Sequence, residues 1–256
     1  MWAVLGLGVI QGLTEFLPIS SSGHLVVLKT LFGVASPGAA LEVALHAGTL
    51  LAVFWAYRHW FVEWLGQLRA KERAAWDLMG RLVVGSVPAG ILGLLLGEMV
   101  ARYFTVEAVL LGWVATSVLL WITPKSAQDE HSLNRIGWWE AGIVGCAQAL
   151  ALWPGLSRSG STIAMARVLG VAPEDAAQFS FLLAIPAVLG ASLIEAPALL
   201  HARIPLMTLL IAALLAAITG VVAIQWVKGV VTRPRAWRAF GVYTALAALA
   251  TWIIGG

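Results

Sequence analysis

Six stretches of this chain are long and apolar enough to cross a lipid bilayer, and this feature limits the possible folds more than any other. A hydrocarbon core about 30 Å thick requires roughly 20 helical residues. The stretches lie near residues 38–57, 81–100, 104–122, 174–195, 205–227 and 238–254. Of the 256 residues, 60% are hydrophobic and 11% are charged. A soluble domain of this size cannot bury so much apolar surface. The sequence therefore predicts an all-α polytopic membrane protein.

The remaining composition excludes several other classes of protein. Cys146 is the single cysteine, which excludes an internal disulfide and any multi-cysteine metal site. The formal net charge of +3 is typical of basic loops beside a membrane, so we expect no nucleic-acid partner. The first residues are apolar but lack a basic n-region and a small-residue cleavage site. We therefore expect them to belong to the mature protein rather than to a signal peptide.

Two further apolar regions, residues 2–33 and 139–171, are interrupted in the middle by clusters of Pro, Gly and Ser. The interruptions fall at residues 18–23 and 154–160. Broken backbone at membrane depth is tolerated only where protein or water satisfies its polar groups. We therefore predict that each region is a re-entrant hairpin of two helices joined by a loop.

The chain then divides into halves, about 1–123 and 139–254, each with one hairpin followed by three transmembrane helices. Gln11 precedes Gly23 by twelve positions, and Gln148 precedes Gly160 by twelve. An odd number of crossings in each half predicts an inverted-topology repeat within a single membrane domain of residues 1–256. Such repeats place the functional site near the midplane, where the hairpin tips meet. The alternative is that small residues at these spacings only allow close helix packing.

The basic residues predict an orientation. Eleven of the sixteen Lys and Arg lie in loops 58–81 and 228–238 and in a third loop that contains Lys125 and Arg135. The positive-inside rule places these loops in the cytoplasm. The first hairpin then enters the membrane from the outside, and both chain ends are external.

Ionisable residues at membrane depth are costly, so they mark function by default. Gln11 and Glu15 are four residues apart and share a helix face in the first hairpin, which also contains His24. In the second hairpin Arg158 lies at a predicted helix start among hydroxyl and glycine residues, which suits an anion. A carboxylate and a histidine opposite could bind a cation or move a proton. The alternatives are a structural Glu–Arg pair and a structural histidine.

Other polar residues of the spans have a less specific interpretation. Glu42 and His46 are four residues apart near the start of one span, and Arg167 and Gln178 occupy similar places in the other half. We expect these residues to support the site from outside or to pair helices. We expect Glu140 and Gln148 to orient the second hairpin.

The two interruptions resemble the signatures of a known family, the undecaprenyl-diphosphate phosphatases of the bacitracin-resistance type. The first signature is a Glu or Gln, three residues, a Glu, then a Ser-rich stretch and a His, and the second is Pro-Gly-x-Ser-Arg-Ser-x-x-Thr. The matching residues are Gln11, Glu15, Ser20, Ser21, Ser22, Gly23 and His24 in the first hairpin, and Pro154, Gly155, Ser157, Arg158, Ser159 and Thr162 in the second. The resemblance covers nearly the whole chain in order and spacing.

The resemblance implies a membrane phosphatase that removes the terminal phosphate of undecaprenyl diphosphate. This reaction recycles the lipid carrier of cell-wall synthesis and confers bacitracin resistance. Glu15, His24 and Arg158 are implied as the main catalytic residues, and either Ser21 or a water molecule as the nucleophile. The residues implied to line the site are Gln11, Ser20, Ser22, Gly23, Ser157, Ser159, Gly160 and Thr162.

The resemblance also implies a divalent cation, Mg²⁺ or Ca²⁺, held by Glu15 and Gln11. Many members have a glutamate where this chain has Gln11, and a neutral amide is a poorer metal ligand. The implied location is the bacterial inner membrane, with the site facing the periplasm. The sequence does not decide whether the protein forms a homo-oligomer. A competing hypothesis is a transporter or flippase of a prenyl phosphate, since inverted repeats with paired hairpins also occur in transporters.

Overall fold

The computed structural model describes residues 1–34, 39–124, 130–200 and 204–255, and helices make up nearly all of this part of the chain. No strand longer than the isolated bridge between His131 and Val171 occurs in the described residues. The predicted all-α class is therefore confirmed. The helices are α1 (Trp2–Phe16), α2 (Ser21–Leu31), α3 (Ala40–Ala56), α4 (Arg58–Arg69), α5 (Arg73–Arg102), α6 (Val106–Ile122), α7 (Trp138–Leu150), α8 (Arg158–Val168), α9 (Pro173–Glu195), α10 (Pro197–Leu200), α11 (Leu206–Val230) and α12 (Pro234–Gly255), with a 3₁₀ turn at Leu133–Arg135.

Helices occupy all six predicted spans, but in the described residues fewer than six are full crossings by length and composition. Three helices are long and apolar enough, within α5, α9 and α11. The α3 and α4 pair, bent by 75°, makes a fourth if it counts as one span. Helix α6 has 17 residues, about 25 Å at 1.5 Å per residue, which is shorter than the hydrocarbon core. The chain is a multi-pass membrane protein.

Both interrupted regions are pairs of short helices, as predicted. Helices α1 and α2 pack together around a break at residues 17–20, and α7 and α8 pack around a break at residues 151–157. In each pair a serine caps the second helix: Ser20 Oγ accepts from the Gly23 amide (3.3 Å), and Ser157 Oγ accepts from the Gly160 amide (3.0 Å). Even α1, the longest of the four at 15 residues, spans only about 22 Å. Their re-entrant insertion into a membrane stays a prediction.

The first helix of each pair packs against a long helix from the other end of the chain. Helix α1 packs on α11, which also contacts α3, and α7 packs on α5, which also contacts α9. Helices α6 and α12 pack on each other. Between the two pairs lies an aromatic core in which the Phe16 and Phe181 rings meet edge to face, with centroids 5.3 Å apart. This core brings the end of α1 close to α9.

Two predictions fall partly outside the described residues. Lys125, which we assigned to a cytoplasmic loop, lies outside the described residues, and so does the first residue of the span predicted at 38–57. The orientation of the chain and its organisation as one domain stay predictions.

The crossing of α5 and α7 depends on a glycine at Gly145. A Cβ there would lie 2.3 Å from the Gly85 carbonyl oxygen, whereas a Cβ at Gly142 on the same helix would lie 3.9 Å from its nearest neighbour, Val84. We expect Gly145→Ala to lower the free energy of unfolding by about 1–3 kcal/mol because the helices must separate. Gly142→Ala should preserve or raise stability because alanine favours helix. Thermal unfolding of both variants in detergent checks this, and equal melting temperatures would contradict it.

Candidate active site

The tips of the two helix pairs touch, and a buried ion pair joins them. The guanidinium of Arg158, the first residue of α8, donates from Nη2 to Glu15 Oε1 near the end of α1 (2.5 Å). Ser159 Oγ donates to the Leu17 carbonyl oxygen (3.0 Å). A Cβ at Gly160 would lie 3.3 Å from Pro18 Cβ, so a glycine allows this approach. The structure thus brings together Glu15 and Arg158, which are 143 residues apart.

The second carboxylate oxygen of Glu15 contacts three further polar side chains of the site. Oε2 accepts from Ser21 Oγ (2.6 Å) and from Gln11 Nε2 (3.0 Å), and His46 Nε2 lies 3.9 Å away. The Glu15 side chain is 8% exposed. Hydrogen bonds to an ionised carboxylate are stronger than neutral ones, so these contacts fix its position. A hydroxyl on a buried carboxylate is a pair that can transfer a proton.

The three serines of the first tip have different partners. Ser20 adopts a left-handed φ of 65° and caps α2, with its hydroxyl 3.1 Å from Ser22 Oγ. Ser21 faces Glu15, and Ser22 lines an adjacent cavity. We predicted one shared role for Ser20 and Ser22 in lining the site. The structure gives Ser20 a part in shaping the loop.

The hydroxyls of the second tip mostly bond to the protein itself. Thr162 Oγ1 bonds to the Arg158 carbonyl (2.9 Å) and shares a 2.6 Å hydrogen bond with Ser180 Oγ. Ser157 Oγ lies 3.3 Å from Ser159 Oγ. Arg158 Nη1 donates to the Ser180 carbonyl oxygen (3.3 Å). These contacts hold Arg158 and the start of α8 in place beside Glu15.

His24 faces away from this centre. Its Nδ1 lies 2.7 Å from the Ser20 carbonyl oxygen and its Nε2 lies 2.8 Å from Tyr243 Oη. Because a carbonyl only accepts, Nδ1 carries the proton. In the described part of the chain no hydrogen bond joins His24 to Glu15, Ser21 or Arg158. His46, which we expected to support the site from outside, is the histidine near Glu15.

Helix α6 holds both tips, and sequence reasoning missed its role. Trp113 Nε1 donates to the Ile19 carbonyl oxygen (3.0 Å) in the first tip. One turn further on, Thr116 Oγ1 accepts from the Ser157 amide (3.0 Å) of the second tip. Its one hydroxyl proton is shared between the carbonyl oxygens of Gly155 in that tip (3.0 Å) and Gly112 of its own helix (2.9 Å). Single Trp and Thr residues in an apolar span form no motif, so nothing in the sequence pointed to them. Ser180 and Tyr243 were missed for the same reason.

A cavity of about 410 Å³ opens beside Gln11. Gln11, Ser22 and His46 form its wall next to the carboxylate, and Lys29 pairs with Glu42 in the same cavity. Its other walls are apolar, formed by Leu25, Val26, Val34 and Phe104, with Thr30 beside them. The volume is within the usual range for ligand pockets.

The donor set fits a hard divalent cation only with help from a ligand. Among the described residues, Gln11 Oε1 is buried without a hydrogen-bond partner, one helical turn from the Glu15 carboxylate. No group of three His, Cys, Asp or Glu residues able to hold a metal occurs in the described ranges. Mg²⁺ commonly uses one or two carboxylates together with substrate phosphates and water. Glu15 and Gln11 meet that requirement.

The remaining polar residues that the sequence singled out lie elsewhere. Glu140 caps α7 by accepting from the Gly137 amide (2.5 Å), and Arg167 bonds to Glu130 (2.9 Å) and to the Val171 carbonyl (2.9 Å). Among the described residues, neither side-chain polar atom of Gln148 has a hydrogen-bond partner. Glu140 thus orders the second hairpin as expected, through the cap of α7.

Comparison with known proteins identifies the family of the chain. The family model described as bacitracin resistance protein BacA matches residues 4–250. The chain belongs to the BacA family. An undecaprenyl-diphosphatase of Thermomicrobium roseum is 42% identical over 221 residues, covering 80% of this chain and 79% of that protein. An undecaprenyl-diphosphatase of Syntrophotalea carbinolica is 40% identical over 258 residues, covering 98% of this chain and 94% of that protein. The BacA match includes both tips and the cavity.

Thr116 should be essential for the second tip of this BacA-family chain. Thr116→Val leaves the buried Ser157 amide and Gly155 carbonyl without their partner, so we expect a loss of about 1–3 kcal/mol in unfolding free energy. Thr116→Ser keeps the hydroxyl, so its free energy of unfolding should fall less than that of Thr116→Val. Thr123→Val is the matched control, because among the described residues Thr123 Oγ1 bonds to the Leu119 carbonyl of its own helix (2.8 Å) and to no other group. Melting temperatures that fall equally for Thr116→Val and Thr123→Val would disprove the role.

Proposed function

We propose that this chain hydrolyses the terminal phosphate of undecaprenyl diphosphate and releases undecaprenyl phosphate. The BacA relatives, about 40% identical over most of the chain, are named undecaprenyl-diphosphatases. The observation that carries the proposal is the contact of Ser21, Glu15 and Arg158 at the meeting point of the two tips. A nucleophile, a proton acceptor and a phosphate-binding cation are the parts that such a hydrolysis needs.

Arg158 binds the terminal phosphate. Its guanidinium has five N–H donors, and Glu15 and Ser180 each accept one of them in the structure. The remaining donors can bind two phosphate oxygens side by side, which a lysine cannot do. The amide groups at the start of α8 lie next to the guanidinium and add positive potential.

Ser21 is the preferred nucleophile. Its hydroxyl already donates to Glu15 Oε2 at 2.6 Å. As Oγ bonds to the terminal phosphorus, the proton passes to Glu15 and the bridging oxygen leaves with undecaprenyl phosphate. The proton on Glu15 leaves with the undecaprenyl phosphate, so the carboxylate is ionised again. Water then attacks the phosphoserine, and Glu15 takes a proton from that water and passes it to Ser21 Oγ as the bond between phosphorus and Oγ breaks and inorganic phosphate leaves. In the alternative route, water held by Glu15 attacks directly.

His24 acts through the loop. Its Nδ1–H bond to the Ser20 carbonyl fixes the residue whose left-handed backbone precedes Ser21. This contact favours a positioning role for His24, where the resemblance alone implied an acid or a base.

A bound divalent cation would neutralise charge on the diphosphate. Glu15 and Gln11 are the residues that would hold it, since Gln11 Oε1 has no other partner among the described residues. Gln11 Nε2 meanwhile orients the carboxylate by donating to it.

The inverted repeat and the location belong to the same proposal. The two serine caps and the reciprocal packing of α1 on α11 and α7 on α5 support two equivalent halves of opposite orientation. The basic loops support an inner-membrane protein with cytoplasmic residues 58–81 and 228–238 and a site open to the periplasmic side. The homo-oligomer stays a prediction.

Substitutions in the ion pair test the site. We expect Arg158→Lys and Glu15→Gln each to reduce phosphate release from undecaprenyl diphosphate about 100-fold or more, because the planar fork or the proton acceptor is lost. Arg73→Lys, at a side chain that is 94% exposed, is the matched control. Full activity of either site variant would overturn the assignment. If the wild type releases no phosphate with Mg²⁺ or Ca²⁺, the phosphatase function fails and the transporter hypothesis takes its place.

Substitutions of Gln11 test whether this side chain holds the divalent cation. Gln11→Glu adds a second carboxylate beside Glu15, so the cation concentration for half-maximal activity should fall about tenfold, since ligand charge raises affinity. Gln11→Ala should raise it. Binding of Mn²⁺ to the purified variants, followed by electron paramagnetic resonance, gives a readout independent of activity. Identical Mn²⁺ affinities in all three proteins would show that Gln11 does not contact the cation.

A further inference from the structure

The cavity next to the reacting centre contains a charged pair that the phosphatase reaction described above does not use. Lys29 on α2 donates to Glu42 Oε1 on α3, and both side chains line the cavity. Each side chain is 24% exposed. A pair of this kind can simply tie α2 to α3, but its place in the cavity points to a second role.

The cavity adjoins the place where the terminal phosphate would be attacked, although Ser21 and Glu15 do not line it. Three of its lining residues, Gln11, Ser22 and His46, belong to the site, and Gln11 and His46 lie within 3.0 and 3.9 Å of Glu15. Arg158 is not among the lining residues. A diphosphate bound at Arg158 carries a second phosphoryl group, and the adjoining cavity is the space that can receive it.

Lys29 is the one Lys or Arg among the described residues that line this cavity. Ser22 and Lys29 are seven residues apart, two turns of α2, or about 10 Å along its axis. Side chains on a helix lean toward its N-terminus, so Lys29 leans toward Ser22 and the reacting centre. The four-carbon stem of lysine is flexible, which allows the ammonium to move along this wall.

The apolar walls indicate which phosphate enters. Leu25 and Val26 lie between Ser22 and Lys29 in the sequence, and Phe104 faces the same space. A group that is charged at one end and apolar at the other matches these walls. The phosphoryl group next to the prenyl chain has this character, and the terminal phosphoryl group does not.

We infer that Lys29 binds the phosphoryl group that stays on the prenyl chain, and that Glu42 competes with this phosphate for Lys29. The inference rests on the proposed phosphatase function and adds a substrate-binding residue to it. In the structure Glu42 Oε1 accepts a hydrogen bond from the ammonium within the cavity. When the substrate enters, its phosphate oxygens replace Glu42 Oε1 as acceptors. Glu42 Oε2, buried and unpartnered among the described residues, shows that the carboxylate is not otherwise anchored on that side.

Competition predicts opposite effects for the two partners of one ion pair. Lys29→Met removes the cation, so KM for undecaprenyl diphosphate should rise about tenfold. Glu42→Gln removes the competitor and keeps the shape, so KM should fall. Lys29→Arg preserves the charge and should stay within about threefold of wild type. Lys71→Met, at an exposed lysine beyond α4, is the matched control. A structural tie between α2 and α3 instead predicts that Lys29→Met and Glu42→Gln shift KM in the same direction.

Product inhibition identifies the phosphate that Lys29 contacts. Undecaprenyl phosphate retains the prenyl-side phosphate, and inorganic phosphate is the terminal one. The inhibition constant for undecaprenyl phosphate should rise about tenfold in Lys29→Met, while that for inorganic phosphate stays within twofold of wild type. An unchanged constant for undecaprenyl phosphate, or a rise only for inorganic phosphate, overturns the inference.

The inference can fail while the proposed function survives. This is the outcome if the wild type is active, Arg158→Lys is inactive, and Lys29→Met and Glu42→Gln have the same KM as the wild type. If the wild type itself releases no phosphate, the proposed function fails first. Melting temperatures of all variants are compared with wild type, and Lys29→Arg and Glu42→Gln test the inference if Lys29→Met does not fold.

Discussion

The buried pair of Glu15 and Arg158 is the contact on which the site depends. Glu15 lies near the last residue of α1, and Arg158 is the first residue of α8. Both are short helices that border the breaks at the two tips. Removing either partner leaves the other charge buried without compensation, which is far more costly than losing an exposed ion pair. The pair therefore holds the two tips together and, in the proposed reaction, also places a phosphate-binding cation against a proton acceptor. Structure and chemistry use the same two side chains.

The broken backbone of the tips is satisfied by side chains from other helices. The carbonyl oxygen of Leu17 accepts from Ser159, that of Ile19 accepts from Trp113, and that of Gly155 accepts from Thr116. Inside a bilayer an unsatisfied peptide group is expensive, so these donors are a condition for the breaks to exist. Each donor comes from a different part of the chain than the carbonyl it satisfies, so the polar groups of the two tips are paired through contacts among α6 and both hairpins.

The sequence predicted the helix class, the two interrupted hairpins and the polar residues of both tips. It could do so because apolar length, Pro, Gly and Ser clusters and rare membrane charges have strong local signals. It did not separate the roles of Ser20, Ser21 and Ser22, since these depend on the left-handed backbone at Ser20. Nor did it place His46 beside Glu15, because that contact joins α3 to α1 across the fold. Six crossings were expected, but length and composition in the described residues support three or four: α6 is short, α3 bends into α4, and α12 is not among the helices that meet both criteria.

Helix α6 supports both tips from residues one turn apart. Trp113 and Thr116 face inward, while Leu111, Val114 and Val118 on the same helix are more than half exposed on its outer surface. In a membrane that outer surface meets lipid tails. A helix that is shorter than the hydrocarbon core makes the bilayer thinner around it, and α6 contacts both tips from its inner surface. Lipid on the outer surface of α6 is therefore separated from both tips by the thickness of a single helix.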